Sequence, residues 1–153
     1  MAFSASSIFT QFLAGAMDRT ITYDLDGTTH NVALFNNSVV PDKDAVAGSI
    51  GYNTGTWTTT NEVSQTTTWP AGGRPLVNAD IATAAGVVYF DGDDTVSNGN
   101  ATLSNAYGAM VYDNNLAGKN GISYNAFGGA QSVTNGQLTV QWHSNGIWRA
   151  TIS

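Results

Sequence analysis

Residues 138–152 read LTVQWHSNGIWRATI, two runs of alternating apolar and polar residues around the turn-forming cluster Ser144-Asn145-Gly146. Leu138, Val140 and Trp142 precede the cluster, and Trp148, Ala150 and Ile152 follow it. Their spacing selects a register. A two-residue loop at Asn145-Gly146 sets Trp142 opposite Arg149 and throws the two apolar sets onto opposite faces of the sheet. A three-residue loop with Gly146 left-handed, ending in a bulge, sets Trp142 opposite Trp148, Val140 opposite Ala150 and Leu138 opposite Ile152. The expected element is an antiparallel hairpin with an apolar inner face and with Gln137, Thr139, Gln141 and Arg149 turned outward.

Upstream of this hairpin, short apolar or alternating runs recur between turn clusters. They lie at 79–84, 86–90, 95–96, 101–103, 107–112 and 122–127, the last closed by a Gly128-Gly129 corner. Strands of this length with turns every eight to twelve residues predict a mainly β fold, an antiparallel β-sandwich or barrel-like domain whose core spans 79–152. Further upstream, Ile21, Tyr23 and Leu25 alternate up to Asp26-Gly27, and His30, Val32 and Leu34 alternate beyond it. A two-residue loop pairs Leu25 with Thr28, Tyr23 with His30 and Ile21 with Val32, giving a second hairpin over 20–35. Between the two regions, 36–75 is rich in turn formers and poor in alternation. It reads as a long covering loop with a helical turn near 42–47 and a strand edge at 57–60.

The first residues could be mistaken for an export signal, because Ile8, Phe9, Phe12 and Leu13 are followed by Ala14-Gly15-Ala16. No Lys or Arg precedes them, and Ser4, Ser6, Ser7, Thr10 and Gln11 interrupt the apolar run. Helical spacing of Ile8, Phe9, Phe12, Leu13 and Ala16 predicts one short amphipathic helix over about 7–17, capped by Ser6 or Ser7. No stretch reaches the length of a membrane span.

Composition narrows the functional classes. The chain has 153 residues, read as a single domain 1–153, and no cysteine; disulfides and thiolate metal sites are therefore unavailable. Only 10% of residues are charged, with eleven acids against five bases and a net charge of −6. The bases Arg19, Lys43, Arg74, Lys119 and Arg149 are scattered, which argues against nucleic acid as a partner. Few charges also leave strand edges without lysine protection, so loops or neighbouring subunits must cover them.

No catalytic or cofactor-binding constellation stands out. Asp91-Gly-Asp93-Asp94 begins like a calcium loop, but counting from Asp91 puts Val96 where Gly is required and Thr102 where a bidentate Glu is required. The segment reads as a tight turn with exposed acids, and no metal is expected. Gly48-Ser-Ile-Gly51 lacks the spacing of a nucleophile elbow. The two histidines, His30 and His143, are placed within strands and are too few for a zinc site. Glycosidase chemistry needs two opposed carboxylates, and the sequence selects no pair. Of the four tryptophans, Trp142 and Trp148 go to the inner face of the terminal hairpin, while Trp57 and Trp69 in the long loop anchor it to the core or enter an interface. Asn36-Asn-Ser38 and Asn100-Ala-Thr102 match glycosylation acceptors, a pattern common in a chain of this composition.

Several segments together carry a resemblance: Tyr23-Asp-Leu-Asp-Gly-Thr-Thr-His-Asn-Val-Ala-Leu-Phe35, Asn61-Glu-Val-Ser64, Pro70-Ala-Gly-Gly73, Tyr107-Gly-Ala-Met-Val-Tyr-Asp113, Phe127-Gly-Gly-Ala-Gln-Ser132 and the stretch from Leu138 to Trp148. In this order, after an N-terminal helix, they resemble a family of small virion structural proteins of tailed bacteriophages, encoded among the head genes. The resemblance spans nearly the whole chain, departs from the family pattern between Thr54 and Thr60, and rests on strand and turn motifs with no catalytic residue. It implies a capsid decoration protein, made in the host cytoplasm, that binds the outside of the major capsid lattice in the virion and stabilises the head. Its implied partners are the major capsid protein and copies of itself, as a homo-oligomer such as a trimer. A neck or tail structural protein, or a carbohydrate-binding module at a tail tip with Trp57 or Trp69 as stacking platforms, are the alternatives. The interface expected from the residues comprises Ile8, Phe9 and Phe12 of the helix with Trp57 and Trp69 of the loop.

Overall fold

A computed structural model describes residues 3–152. Eleven strands and one helix follow in order: β1 (Ser7–Ile8), α1 (Thr10–Asp18), β2 (His30–Phe35), β3 (Glu62–Val63), β4 (Arg74–Pro75), β5 (Asp80–Ala84), β6 (Val87–Asp91), β7 (Thr95–Val96), β8 (Ala101–Asp113), β9 (Gly121–Gly136), β10 (Thr139–Val140) and β11 (Trp148–Thr151). The fold is mainly β, with antiparallel pairing and a sandwich-like layering, and no sheet closes into a barrel.

The centre is one antiparallel sheet in the order β1-β9-β8-β2-β3, with β4 also on β2. Over β2 and the last six residues of β8 it is buried on both faces. Along β2, Ala33 and Phe35 point into one core while Val32 and Leu34 point into another; along β8, Met110 and Tyr112 take the first side, Ala109 and Val111 the second. Period-two geometry alone divides these side chains, and a strand covered on both faces shows near-continuous apolar sequence instead of alternation. The first core is closed by Phe3, Phe9 and Phe12 from the N-terminal segment and by Val39, Ile50, Tyr52 and Trp57 from the long loop. The second is closed by Trp69, Leu76, Phe90, Val140 and Ile147, under the smaller sheets β11-β6-β5 and β10-β7. Trp148 packs against both cores, with its ring 5.9 Å from Phe12 and 6.1 Å from Phe90.

Both expected hairpins are absent. Thr139 and Val140 pair with Val96 and Thr95, while Trp148 to Thr151 pair with Phe90 to Val87. The turn itself exists: Gly146 N–H donates to the His143 carbonyl at 2.8 Å, and Gly146 is left-handed at φ 91°. Its arms diverge because Phe90 captures the second one, its carbonyl accepting from Ile147 N–H at 2.8 Å. Trp142 and Trp148 therefore do not face each other, and Ile152 is 73% exposed. At 20–35 a turn also forms, with Gly27 N–H on the Asp24 carbonyl at 3.2 Å. Only its second arm becomes a strand, because β8 offers β2 six registered partners, His30 opposite Asp113 through Phe35 opposite Gly108.

The helix begins at Thr10 rather than at 7, with Phe9 at the N-cap and no side-chain cap. Ser7 and Ile8 instead pair with Tyr124 and Ser123, and Ser6 Oγ accepts the Ala126 N–H at 2.9 Å. Strand pairing satisfies these backbone groups directly, which the first turn of a helix leaves without partners. The anticipated helical turn at 42–47 is displaced to a 3-10 turn at Ala47–Ser49, and Trp57 lies in no strand. The runs at 101–103 and 107–112 are one strand, β8. Gly128-Gly129 is not a corner but a bulge inside β9: three residues of β8, Ala106 to Gly108, stand opposite six of β9, Ala126 to Gln131.

Candidate functional site

A deep concave surface arises from a mismatch in strand length. β2 ends at Phe35 opposite Gly108, so β8 runs on from Tyr107 back to Ala101 with no strand beside it on that side. The chain turns away at 36–38, where Asn36 Oδ1 accepts the Ser38 N–H at 2.8 Å. A groove of about 640 Å³ is left, lined by Asn36, Ser38, Glu62, Ser64, Thr102, Ser104, Asn105 and Tyr107 among others. Its walls are amides and hydroxyls. One wall is fixed by Gln65, whose Oε1 accepts the Thr102 N–H at 2.9 Å and the Thr68 hydroxyl at 2.5 Å.

Glu62 is the only carboxylate among the lining residues. Its Oε2 accepts from the Tyr52 hydroxyl at 2.7 Å and its Oε1 from the Gly72 N–H at 2.8 Å. Burial pushes this carboxyl above its ordinary range, against the lowering effect of those two bonds. The Gly72 carbonyl accepts from the Tyr112 hydroxyl at 2.6 Å and from Asn31 Nδ2 at 2.9 Å. Burial pushes the Tyr112 phenol up to about 12; Tyr52, stacked on Tyr112 with centroids 5.0 Å apart, is raised by burial and then by Glu62. Glu62 thus ties the turn at 70–73 to the sheet. Two-carboxylate hydrolysis needs a second acid across the groove, and none of the lining residues supplies it.

His30 forms a second polar spot. It is fully buried, neither ring nitrogen makes a well-formed hydrogen bond, and its ring meets Phe90 edge-on at 5.4 Å. Burial holds the imidazole below its ordinary value, with Asp113, the Gly27 backbone and Asp24 pulling the other way. The sign follows by linkage: at acid pH the unfolded chain binds the proton that the folded chain refuses, so this group's stability is complete above about 6.5 and declines as pH falls below it. Urea midpoints are expected to drop between pH 7 and 5 in the wild type, and His30→Phe should flatten that slope. An unchanged slope in the variant would assign the acid sensitivity elsewhere. His143, by contrast, is exposed, its Nδ1 accepting the Asn145 N–H at 3.1 Å.

The residues expected to form an interface lie inside the chain. Phe9, Phe12, Trp57 and Trp69 are each no more than 1% exposed, so they offer no surface to another molecule, and Ile8 is half-buried in β1. Trp57 and Trp69 accordingly anchor the long loop, one in each core, and neither can serve as a sugar-stacking platform. The outer face of α1 carries Leu13 and Met17 instead, 43% and 76% exposed. The acids at 91–94 also separate. Asp93 accepts from Asn78 Nδ2 at 2.7 Å, Asp94 from the Trp142 N–H at 2.9 Å, and Asp91 lies in β6 opposite Asp80. Among the described residues no three His, Cys, Asp or Glu side chains gather as a metal site, and no helix is long and apolar enough to cross a membrane. What sequence reasoning missed is the groove, because its cause is the relative length of two strands that lie far apart in the chain. Compared with known proteins, the chain matches no family model, no curated protein and no solved structure.

Proposed function

We propose that this chain is a structural protein of a tailed-bacteriophage particle, a capsid decoration protein seated on the outside of the major capsid lattice. The observation that supports this reading is the division of its side chains. Nearly all the large aromatics are used in the two cores, and the surface left over is amide- and hydroxyl-rich, sparsely charged and bordered by open strand edges. Such a surface suits packing against protein neighbours through main-chain pairing and polar contacts. Enzymatic readings lack a second carboxylate at the groove, and the resemblance carried by the strand and turn motifs points the same way as the surface. Titrating the purified protein onto undecorated heads tests it: saturable binding at hundreds of copies per head and a raised capsid disruption temperature are expected. Absence of both would sink the decoration reading, while six or twelve copies would move the protein to the neck or tail.

A further inference from the structure

We infer that the outer edge of β9, over 129–134, pairs with the same edge of a second copy of this chain, antiparallel about a twofold axis near Gln131 and Ser132. One side of β9 is bonded to β8. The other is covered by β1 only at Ser123 and Tyr124, with the Ala126 N–H held by Ser6, and no strand pairs with it beyond that point. Left-handed Gly128 at φ 75° and Asn135 at φ 49° bound the free run. Between them Ala130, Gln131, Ser132 and Thr134 are exposed.

Open edges recruit other strands unless they are short, charged or covered. The edges of the smaller sheet meet that condition: β5 has five residues and begins with Asp80, and β11 has four and carries Arg149. β9 does not. Between Lys119 and Arg149 the sequence holds no Asp, Glu, Lys, Arg or Pro. Charge also selects the occupant. With eleven acids against five bases, two copies carry the same net charge, and along this strand they meet without a like-charge contact. Twofold pairing uses the β9 edges of both copies at once and closes that contact on itself. The added strand would also lie beside a groove of about 350 Å³ next to β9, where Phe127, Leu138 and Val140 form an apolar floor rimmed by Gln131 and Gln141. The inference concerns the isolated chain and stands whether or not the virion reading does.

Sedimentation velocity over a concentration series tests it. The wild type is expected to show monomer–dimer association, and Ala130→Lys with Thr134→Lys to weaken it about tenfold or more by crowding lysines along the pair. At concentrations where both proteins are monomeric, thermal stability should not change, since both side chains face water. The chain lacks cysteine, so Gln131→Cys should cross-link two copies under oxidation, and Val46→Cys, exposed on the long loop, should not. A wild type that stays monomeric throughout, a double-lysine variant that associates as before, or equal cross-linking at 131 and 46 would each overturn the pairing.

Discussion

Replacing Trp57 by alanine is expected to lower the free energy of unfolding by about 3–5 kcal/mol, the range for emptying a large aromatic site in a core. Trp57 is 1% exposed and stands at the centre of the first core, edge-on to Phe35 at 5.1 Å, Phe9 at 5.8 Å and Phe3 at 5.9 Å, and tilted against Tyr124 at 6.0 Å. These rings come from three separate segments, and the backbone around Trp57 is itself held by the turn in which Asn53 N–H donates to its carbonyl at 2.9 Å. No neighbour can move into the space without releasing its own partner. The loss is a large share of the total stability of a domain this size, about 5–15 kcal/mol. Urea unfolding followed by far-UV circular dichroism measures it, and Trp57→Phe should recover part of the loss. A cost near 1 kcal/mol would mean that the long loop is not anchored here.

Gly73→Ala should be about as damaging, at about 3–5 kcal/mol, by a different mechanism. Gly73 is left-handed at φ 81°, and a Cβ there would collide with the Val32 carbonyl, lying 2.5 Å from its carbon and 2.7 Å from Ala33 N. All three are backbone atoms of β2, the strand both cores share, so no rotamer change relieves the clash. Shifting Gly73 would also displace the Gly72 carbonyl from Tyr112 and Asn31, and the Gly72 N–H from Glu62. Gly99→Ala is the matched control: it too is left-handed, at φ 57°, with nothing within 4 Å of its Cβ. That substitution should show the conformational cost alone, about 1–2 kcal/mol. Equal losses at the two positions would remove the steric part of the account.

Strand positions were legible in the sequence, and strand partners were not. The runs at 79–84, 86–90, 95–96 and 122–127 coincide with β5, β6, β7 and the start of β9 to within a few residues, and those at 101–103 and 107–112 are the two ends of the single strand β8. Each predicted hairpin was placed by asking which local pairing gives a single dry face, and each lost its arms to partners distant in the chain. His30 to Phe35 pair with β8, where Phe35, Met110 and Tyr112 carry as much of the core as the in-phase residues do. In the terminal segment β7 takes Thr139 and Val140 while β6 takes Trp148 to Thr151. The turns at Asp24–Gly27 and His143–Gly146 survive as turns: no strand forms over 20–25 before the first, and the two arms of the second go to different sheets. The expected interface failed similarly: helical spacing marked Phe9 and Phe12 as an apolar face without saying whether the chain's own loop would cover it. The candidate groove left no local mark at all.

The pairing of β1 with β9 ties Ser7 and Ile8 to Tyr124 and Ser123, and Phe3 fills the space left by the missing side chain of Gly108. During synthesis these first residues are made long before their partners exist. At about 5–20 residues per second, the N-terminal segment waits seconds for the strand that will hold it. Until then Phe3, Phe9 and Phe12 have no core to enter, and Trp57 emerges before Tyr124 can close over it. A nascent chain interrupted anywhere before 121 therefore carries an unfilled aromatic cluster. The segment from Phe3 to Phe12 acts as the last piece inserted, so a growing chain depends on holding these aromatics out of harm until its latest long strand is delivered.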